Sequence, residues 1–254
     1  MDWTIASLLF CAGVAGGIIN ALAGGATLIT FPVMLAAGLP PVAANASNAV
    51  AIAPGHLLAA LADRGKLPLP DRRLLFSIVL CVAGGIVGAL VLLALPDRLF
   101  VLPVPALIAF ATLLFAFAPQ VGAWAERRRN GAPASQAAGF ATLSAASIYG
   151  GFFGAGLGVI LTAVLALSDP DDIRRVKVLK NLLATCVSLA AIAIFVMQGM
   201  VAWRETAPML AGALPGGYAG GFLVRVLPAW SVRWFVIAAG TVMSVIYAGR
   251  YWFA

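Results

Sequence analysis

Asn20, Asn45, Asn48, His56, Lys180 and Asn181 are polar side chains set in or beside otherwise apolar stretches of this sequence, and two of those stretches are also broken by glycine. The first break reads Ala23-Gly24-Gly25-Ala26-Thr27 and the second Gly154-Ala155-Gly156-Leu157-Gly158. A helix restarting after such a break presents backbone N–H groups without partners, together with the positive end of its dipole. In lipid these groups persist only where protein or a wet cavity satisfies them, and an anion satisfies them well. At about 100° per residue, Asn45, Asn48 and His56 fall in one helical sector. Lys177, Asn181, Thr185 and Ser188 form a second stripe, with Lys180 about a sixth of a turn away. Polar stripes on apolar helices face a bundle interior or a cavity. The candidate substrate contacts are therefore Asn20, Gly24, Gly25, Ala26, Thr27, Asn45, Asn48, Gly156, Leu157, Gly158, Lys180 and Asn181, and His56 is a candidate for proton coupling.

Each assignment has a plainer rival. Gly13/Gly17, Gly84/Gly88, Gly150/Gly154 and Gly216/Gly220 share a spacing that lets helices pack closely, and packing is the favoured reading of those four pairs. Asn and Thr side chains serve interhelical hydrogen bonds as readily as substrate contacts. Lys177 sits where a long side chain reaches back to the interface. His56, the single histidine, fits a hydrogen-bonded packing role as well as a proton relay.

What is missing narrows the chemistry. No Asp or Glu lies deep in an apolar segment, so the usual carboxylate for proton or sodium coupling is lacking. No GxxxxGK[ST] loop, metal-spaced His/Cys/Asp cluster or nucleophile with a partnered base is present. The sequence argues against an enzyme, calls for no cofactor or metal, and favours an anion pathway over a cation pathway.

The elements that must position these residues are membrane segments. Of 254 residues, 63% are hydrophobic and only 10% charged, a composition that fits a polytopic membrane protein rather than a soluble core. Apolar segments are expected at roughly 4–22, 25–38, 43–61, 73–95, 99–118, 138–153, 156–168, 177–198, 205–225 and 230–250. The second and seventh are short for a hydrocarbon core that takes about 20 helical residues, and read as half-helices or re-entrant segments joined to their predecessors through the glycine breaks. Residues 1–118 form a first membrane repeat, 119–137 a polar cytoplasmic linker containing Glu126-Arg127-Arg128-Arg129, and 138–254 a second repeat. Ala21-Leu22-Ala23 looks like a signal cleavage site, but the N-terminus carries Asp2 and no Lys or Arg, so a retained first span is expected. Cys11, Cys81 and Cys186 all lie in apolar segments without metal spacing and are assigned to packing.

Loop charge sets the orientation. With ten crossings, one side receives Arg64, Lys66, Arg72 and Arg73, then Arg127 to Arg129, then Arg174, Arg175 and Lys177, and finally Arg225 and Arg233. The other side receives only Arg98, Arg204 and Arg250. The positive-inside rule puts the first side in the cytoplasm and both termini outside. All six Trp lie near proposed span ends, as interfacial anchors do. The net charge of +7 thus belongs to topology and anionic lipid, not to nucleic acid. The two halves repeat each other in letters, Gly16-Gly17 to Asn48 against Gly150-Gly151 to Asn181, yet their equivalent loops carry opposite charge character. Two inverted five-segment repeats, with short glycine-broken helices near the midplane, are therefore expected. Substrate and lipid bilayer are the expected partners, and homo-oligomerisation stays open.

The run Gly16-Gly17-Ile18-Ile19-Asn20-Ala21-Leu22-Ala23-Gly24-Gly25-Ala26-Thr27-Leu28-Ile29-Thr30-Phe31-Pro32, with Gly38-Leu39-Pro40-Pro41 and Ala44-Asn45-Ala46-Ser47-Asn48, resembles the first-half signature of the TauE/SafE sulfite exporter family. Tyr149-Gly150-Gly151-Phe152-Phe153-Gly154-Ala155-Gly156-Leu157-Gly158, Leu179-Lys180-Asn181 and Gly216-Gly217-Tyr218-Ala219-Gly220-Gly221 are similar to its second half. The resemblance spans nearly the whole chain. It implies a multi-span bacterial inner-membrane transporter built from a duplicated unit, of a kind associated with export of sulfite, sulfonate-related compounds and other small organic anions. Ala26 stands where the family commonly has a third glycine and Ser47 where it has Thr, both small changes at the break and beside Asn48. The expected function is export of a small anion by alternating access. The rival readings are a channel-like anion conductor and a non-transporting scaffold.

Overall fold

Each of the ten apolar segments contains a helix. The computed structural model describes residues 2–62, 71–129, 136–168, 173–223 and 229–253, and every regular element among them is helical. In the first half these are α1 (Trp3–Ala23), α2 (Thr27–Ala36), α3 (Pro41–Ala62), α4 (Arg72–Ala94), the single turn α5 (Asp97–Phe100), α6 (Val104–Ala116) and α7 (Ala118–Arg129). The second half contains α8 (Gln136–Phe152), α9 (Leu157–Ser168), α10 (Ile173–Met197), α11 (Trp203–Leu223) and α12 (Ala229–Trp252). The expected segment 99–118 divides at the Val101–Pro103 turn, because Pro103 lacks the N–H that would carry α5 onward. α7 lies in the polar run read as a linker and packs on α9.

Among the described residues, four helical stretches, Trp3–Ala21, Arg72–Ala94, Val178–Met197 and Trp230–Trp252, are long and apolar enough to cross a membrane. α2 and α9, with 10 and 12 residues, are not. The outer face is apolar: Leu75, Val79, Trp230, Trp234, Phe235 and Val245 are all exposed, which suits lipid and not water. The chain is a multi-pass membrane protein.

Two glycine seams join the halves. α1 lies along α11, where a β-carbon on Gly17 would collide with the Ala213 carbonyl oxygen. α4 lies along α8, where one on Gly88 would collide with the Ile148 carbonyl oxygen. Close backbone approach of this kind supplies the dispersion contacts that replace a hydrophobic drive in lipid. Gly13/Gly17, Gly84/Gly88 and Gly216/Gly220 are therefore packing pairs. Gly150/Gly154 is not, because Gly154 ends α8 at φ 76 and Gly150 lies beneath the Leu157 and Val187 side chains. The remaining pairings are reciprocal: α3 meets α11 as α10 meets α4, α6 meets α12, and α3 meets α10 at the centre. Fully buried Phe31, Phe100, Phe195 and Met209 fill the spaces between them, with Phe31 edge-on to Phe153 at 5.3 Å and Phe100 edge-on to Phe152 at 5.7 Å.

Candidate anion site at two helix N-termini

The two breaks are built alike. α1 stops because Gly24 turns left-handed at φ 75, its N–H reaching the Ile19 and Asn20 carbonyls at 3.1 and 3.0 Å. α8 stops where Gly154 does the same at φ 76, its N–H reaching the Tyr149 carbonyl at 3.2 Å. Glycine reaches this conformation without steric cost and closes the helix C-terminus. The chain then restarts as α2 at Thr27 and as α9 at Leu157.

Both restarts open on one chamber of about 40 Å³, lined by Gly24 and Thr27 from the first break and Gly154, Leu157 and Gly158 from the second. Asn45, Asn48 and His56 enter from α3, Asn20 from α1, Ser188 and Phe195 from α10, and Gly150 and Gly151 from α8. A water occupies roughly 10–15 Å³ on this measure, so the chamber holds about three waters, or an anion of about four non-hydrogen atoms.

A vestibule of about 560 Å³ adjoins it and shares Asn20, Gly24, Ile52, His56 and Gly158 as a neck. Lys180, Asn181, Leu58 and Tyr218 belong to the vestibule alone. α3 runs from Asn45 in the chamber past His56 at the neck to Leu58 in the vestibule. Asn45 and His56 are about 16 Å apart along the helix axis. α10 runs the other way, from Lys180 and Asn181 in the vestibule to Ser188 and Phe195 in the chamber. The two helices are antiparallel across the site.

Positive potential gathers at the neck. Lys180 lies along the first turn of α9, its Nζ 4.0 Å from where a β-carbon on Gly158 would sit. An ammonium beside a helix N-terminus adds to the positive end of the dipole instead of offsetting it. Asn20 reaches the same level because Gly55 has no side chain, and a β-carbon there would strike the Asn20 amide nitrogen.

The chamber's other end is shut. Phe153 and Phe195 line it, and Phe153 packs against Phe31. Asn45 Nδ2 donates to the Phe152 carbonyl at 2.9 Å, tying α3 to the end of α8. Around that end the Ala202 N–H donates to Ser47 Oγ at 2.9 Å and the Val42 N–H to Asp97 Oδ1 at 3.0 Å. Two oxygens stand out. Asn45 Oδ1 and Asn48 Oδ1 are buried without hydrogen-bond partners, on residues only 2% and 1% exposed.

Of the residues expected at the site, Asn20, Gly24, Thr27, Asn45, Asn48, His56, Leu157 and Gly158 line the chamber, and Lys180 and Asn181 the vestibule. Three lie elsewhere. A β-carbon on Gly25 would sit 2.8 Å from Phe115 Cζ, and one on Gly156 would sit 3.2 Å from Leu114 Cδ1, so both glycines back onto apolar side chains behind the breaks. Ala26 is 1% exposed, and its carbonyl accepts the Thr30 hydroxyl at 2.9 Å. Phe153, Phe195, Gly150, Gly151 and Tyr218 line the cavities without having been singled out. Ser188 was legible as part of the α10 stripe, whereas the aromatics gave no sign among so many apolar neighbours. No group of three or more metal-ligating side chains occurs among the described residues.

The sulfite exporter TauE/SafE family model matches residues 9–247, which is nearly the entire chain and both breaks. The chain belongs to the TauE/SafE family. A "Probable membrane transporter protein" of Haemophilus influenzae is 28% identical to it over 247 residues, covering 94% of this chain and 92% of the relative. The "Probable membrane transporter protein YfcA" of Escherichia coli K12 is 26% identical over 240 residues, covering 93% and 87%. The "Probable membrane transporter protein ORF9" of a Sinorhizobium species is 30% identical over 118 residues, covering 46% and 44%. No solved structure matches. This TauE/SafE member thus has both glycine breaks folded against the same chamber and its adjoining vestibule.

Proposed function

We propose that this chain is a secondary transporter that exports a small anion, sulfite or a related organosulfur anion, across the bacterial inner membrane by alternating access. The observation that carries the reading is the Lys180 ammonium against the first turn of α9, where chamber and vestibule meet. A cationic side chain and a helix N-terminus at one point in a low-dielectric interior both favour an anion there. The chamber's volume suits a guest of about four non-hydrogen atoms. Neither cavity is lined by Asp or Glu among the described residues.

The antiparallel course of α3 and α10 through the site supports two inverted repeats, since equivalent helices of a parallel repeat would run the same way. The short helices α2 and α9 then start near the midplane and lead away from it. Residues 1–118 and 138–254 are the two repeats and 119–137 the connection on the cytoplasmic side. Past the vestibule α3 leads toward Arg64 and Lys66, and Arg174 and Arg175 precede Lys180 in α10. With the basic loops in the cytoplasm and both termini outside, the vestibule faces inward and the aromatic end around Phe31, Phe153 and Phe195 is the closed outer gate. One shut end favours a carrier over a channel. His56 at the neck is the proton-coupling group, although outward movement of a single negative charge already gains about 2.3 kcal/mol per 100 mV of inside-negative potential.

Efflux of labelled sulfite from proteoliposomes containing the purified chain tests this. Saturable efflux is expected. Flux that never saturates would replace the carrier with a channel, and no flux of sulfite or small sulfonates would leave a scaffold.

A further inference from the structure

The vestibule is much larger than the guest that fits the chamber. At about 40 Å³ the chamber takes about four non-hydrogen atoms, the size of a sulfonate head group. The vestibule, at about 560 Å³, has the size of a site for a whole organic ligand. Its wall is also divided in character. Asn20 and His56 stand at the neck, and Lys180 Nζ lies 4.0 Å from the β-carbon position of Gly158 there. Outside the neck the described lining is largely apolar. Leu214, Tyr218 and Phe222 follow one another at intervals of four along α11, forming one stripe about 12 Å long. Tyr218 stands edge-on to Phe222 at 5.0 Å, and Leu58 joins the lining from α3. Leu58, Tyr218 and Phe222 are all more than half exposed, so they carry apolar surface that a ligand can still cover. Gly217, beside the stripe, leaves room along α11: a β-carbon there would meet only the Gly17 carbonyl oxygen, at 4.0 Å.

An inorganic ion gains nothing from an apolar wall and loses hydration beside it. An uncharged hydrocarbon gains nothing from the Lys180 ammonium. One kind of ligand uses both parts, an organic monoanion with a compact charged head and an apolar tail. We propose that the vestibule is the tail subsite of such an amphiphile, a sulfonate-type anion whose head sits at the neck and whose hydrocarbon chain lies along Leu214, Tyr218, Phe222 and Leu58. The inference rests on the anion site proposed above and names the class of organic anion it takes. The polar neck fixes the head, and the length of the α11 stripe favours a tail of several carbons over a single methyl group.

Methanesulfonate and hexanesulfonate test this, because they share a head and differ only in tail length. Binding of each to the purified full-length protein in lipid nanodiscs is measured by titration calorimetry, with the heat from protein-free discs subtracted. Covering part of the added methylenes predicts that hexanesulfonate binds about tenfold to a hundredfold more tightly. The double variant Tyr218→Ser/Phe222→Ser strips the wall, and its ratio should fall to about a fifth of the native one or less. Hexyltrimethylammonium, with the same tail on a cationic head, should bind at least about tenfold more weakly than hexanesulfonate. Equal binding of the two sulfonates by the native protein, or tighter binding of methanesulfonate, overturns the tail subsite and leaves a transporter of small anions. An unchanged ratio in the folded double variant also overturns it. Hexyltrimethylammonium binding as tightly as hexanesulfonate overturns it by reducing the vestibule to an apolar surface blind to the head. Binding of neither sulfonate overturns it as well, and only if sulfite efflux is also absent does the proposed anion site fall with it.

Discussion

The two glycine breaks share a backbone and divide the chemistry. Each ends a helix on a left-handed glycine, at φ 75 and φ 76, and each starts a short helix at the chamber wall. Around the first break the neighbours are neutral amides and a hydroxyl, with Asn20 before it and Thr27 at its restart. Around the second they are glycines, backed by Lys180, the only lysine among the described residues of the vestibule lining. On the proposed function the first half supplies hydrogen-bond direction and the second supplies charge. The proposed duplication accounts for the common backbone, and under it two copies around one cavity each need carry only part of the recognition.

The sharpest way to break this comparison is to remove the charge. Lys180→Gln should lower small-anion efflux from proteoliposomes by about tenfold to a hundredfold, the worth of a hydrogen bond to a charged group, with Lys180→Arg retaining most of the flux. If Asn20→Ala costs as much as Lys180→Gln, the division of labour is wrong. Next in size is Asn45→Ala, which strips the Phe152 carbonyl of its donor at the shut end of the chamber. A loss of about 1–3 kcal/mol in unfolding free energy is expected, read from denaturant titration in detergent. The backbones themselves can be compared. Alanine at Gly24 or Gly154 adopts the left-handed region at a cost of about 1–2 kcal/mol. A β-carbon at Gly154 would also press on the Gly150 carbonyl at 3.0 Å, whereas one at Gly24 meets nothing within 4 Å. Gly154→Ala should therefore melt below Gly24→Ala, and equal melting would mean that the second break relaxes. The smallest effect is expected at Thr30→Val, which removes a hydroxyl bonded to Ala26 within its own helix turn; flux should stay within about twofold.

Much of the site was legible because polar letters stand out in an apolar chain. Asn45, Asn48 and His56 share a helical sector, and that sector lines the chamber. The breaks announced themselves through paired glycines. What a glycine faces is not written in its letter, so Gly25 and Gly156 look identical to Gly24 and Gly158 until φ and packing distinguish them. The same blindness affects Gly150/Gly154, which has the spacing of a packing pair while one member is a helix terminator. The aromatic end was hidden for a different reason. Phe31, Phe153 and Phe195 are ordinary residues for a membrane helix, and only their meeting at one end of a cavity sets them apart. The interruption of segment 99–118 was signalled by Pro103 and Pro105 but outweighed by the continuous apolar run.

The size of the chamber has a consequence of its own. At about 40 Å³ it has no room for a guest and its hydration shell together. Whatever enters from the wide vestibule must leave its water at the neck, between Asn20, His56 and Gly158. Stripping an ion of water is among the most expensive steps in a low-dielectric interior. Under the proposed anion transport the neck would sort ions by the cost of drying them, turning back tightly hydrated anions and passing loosely hydrated ones on to the amides and helix ends that would replace their water.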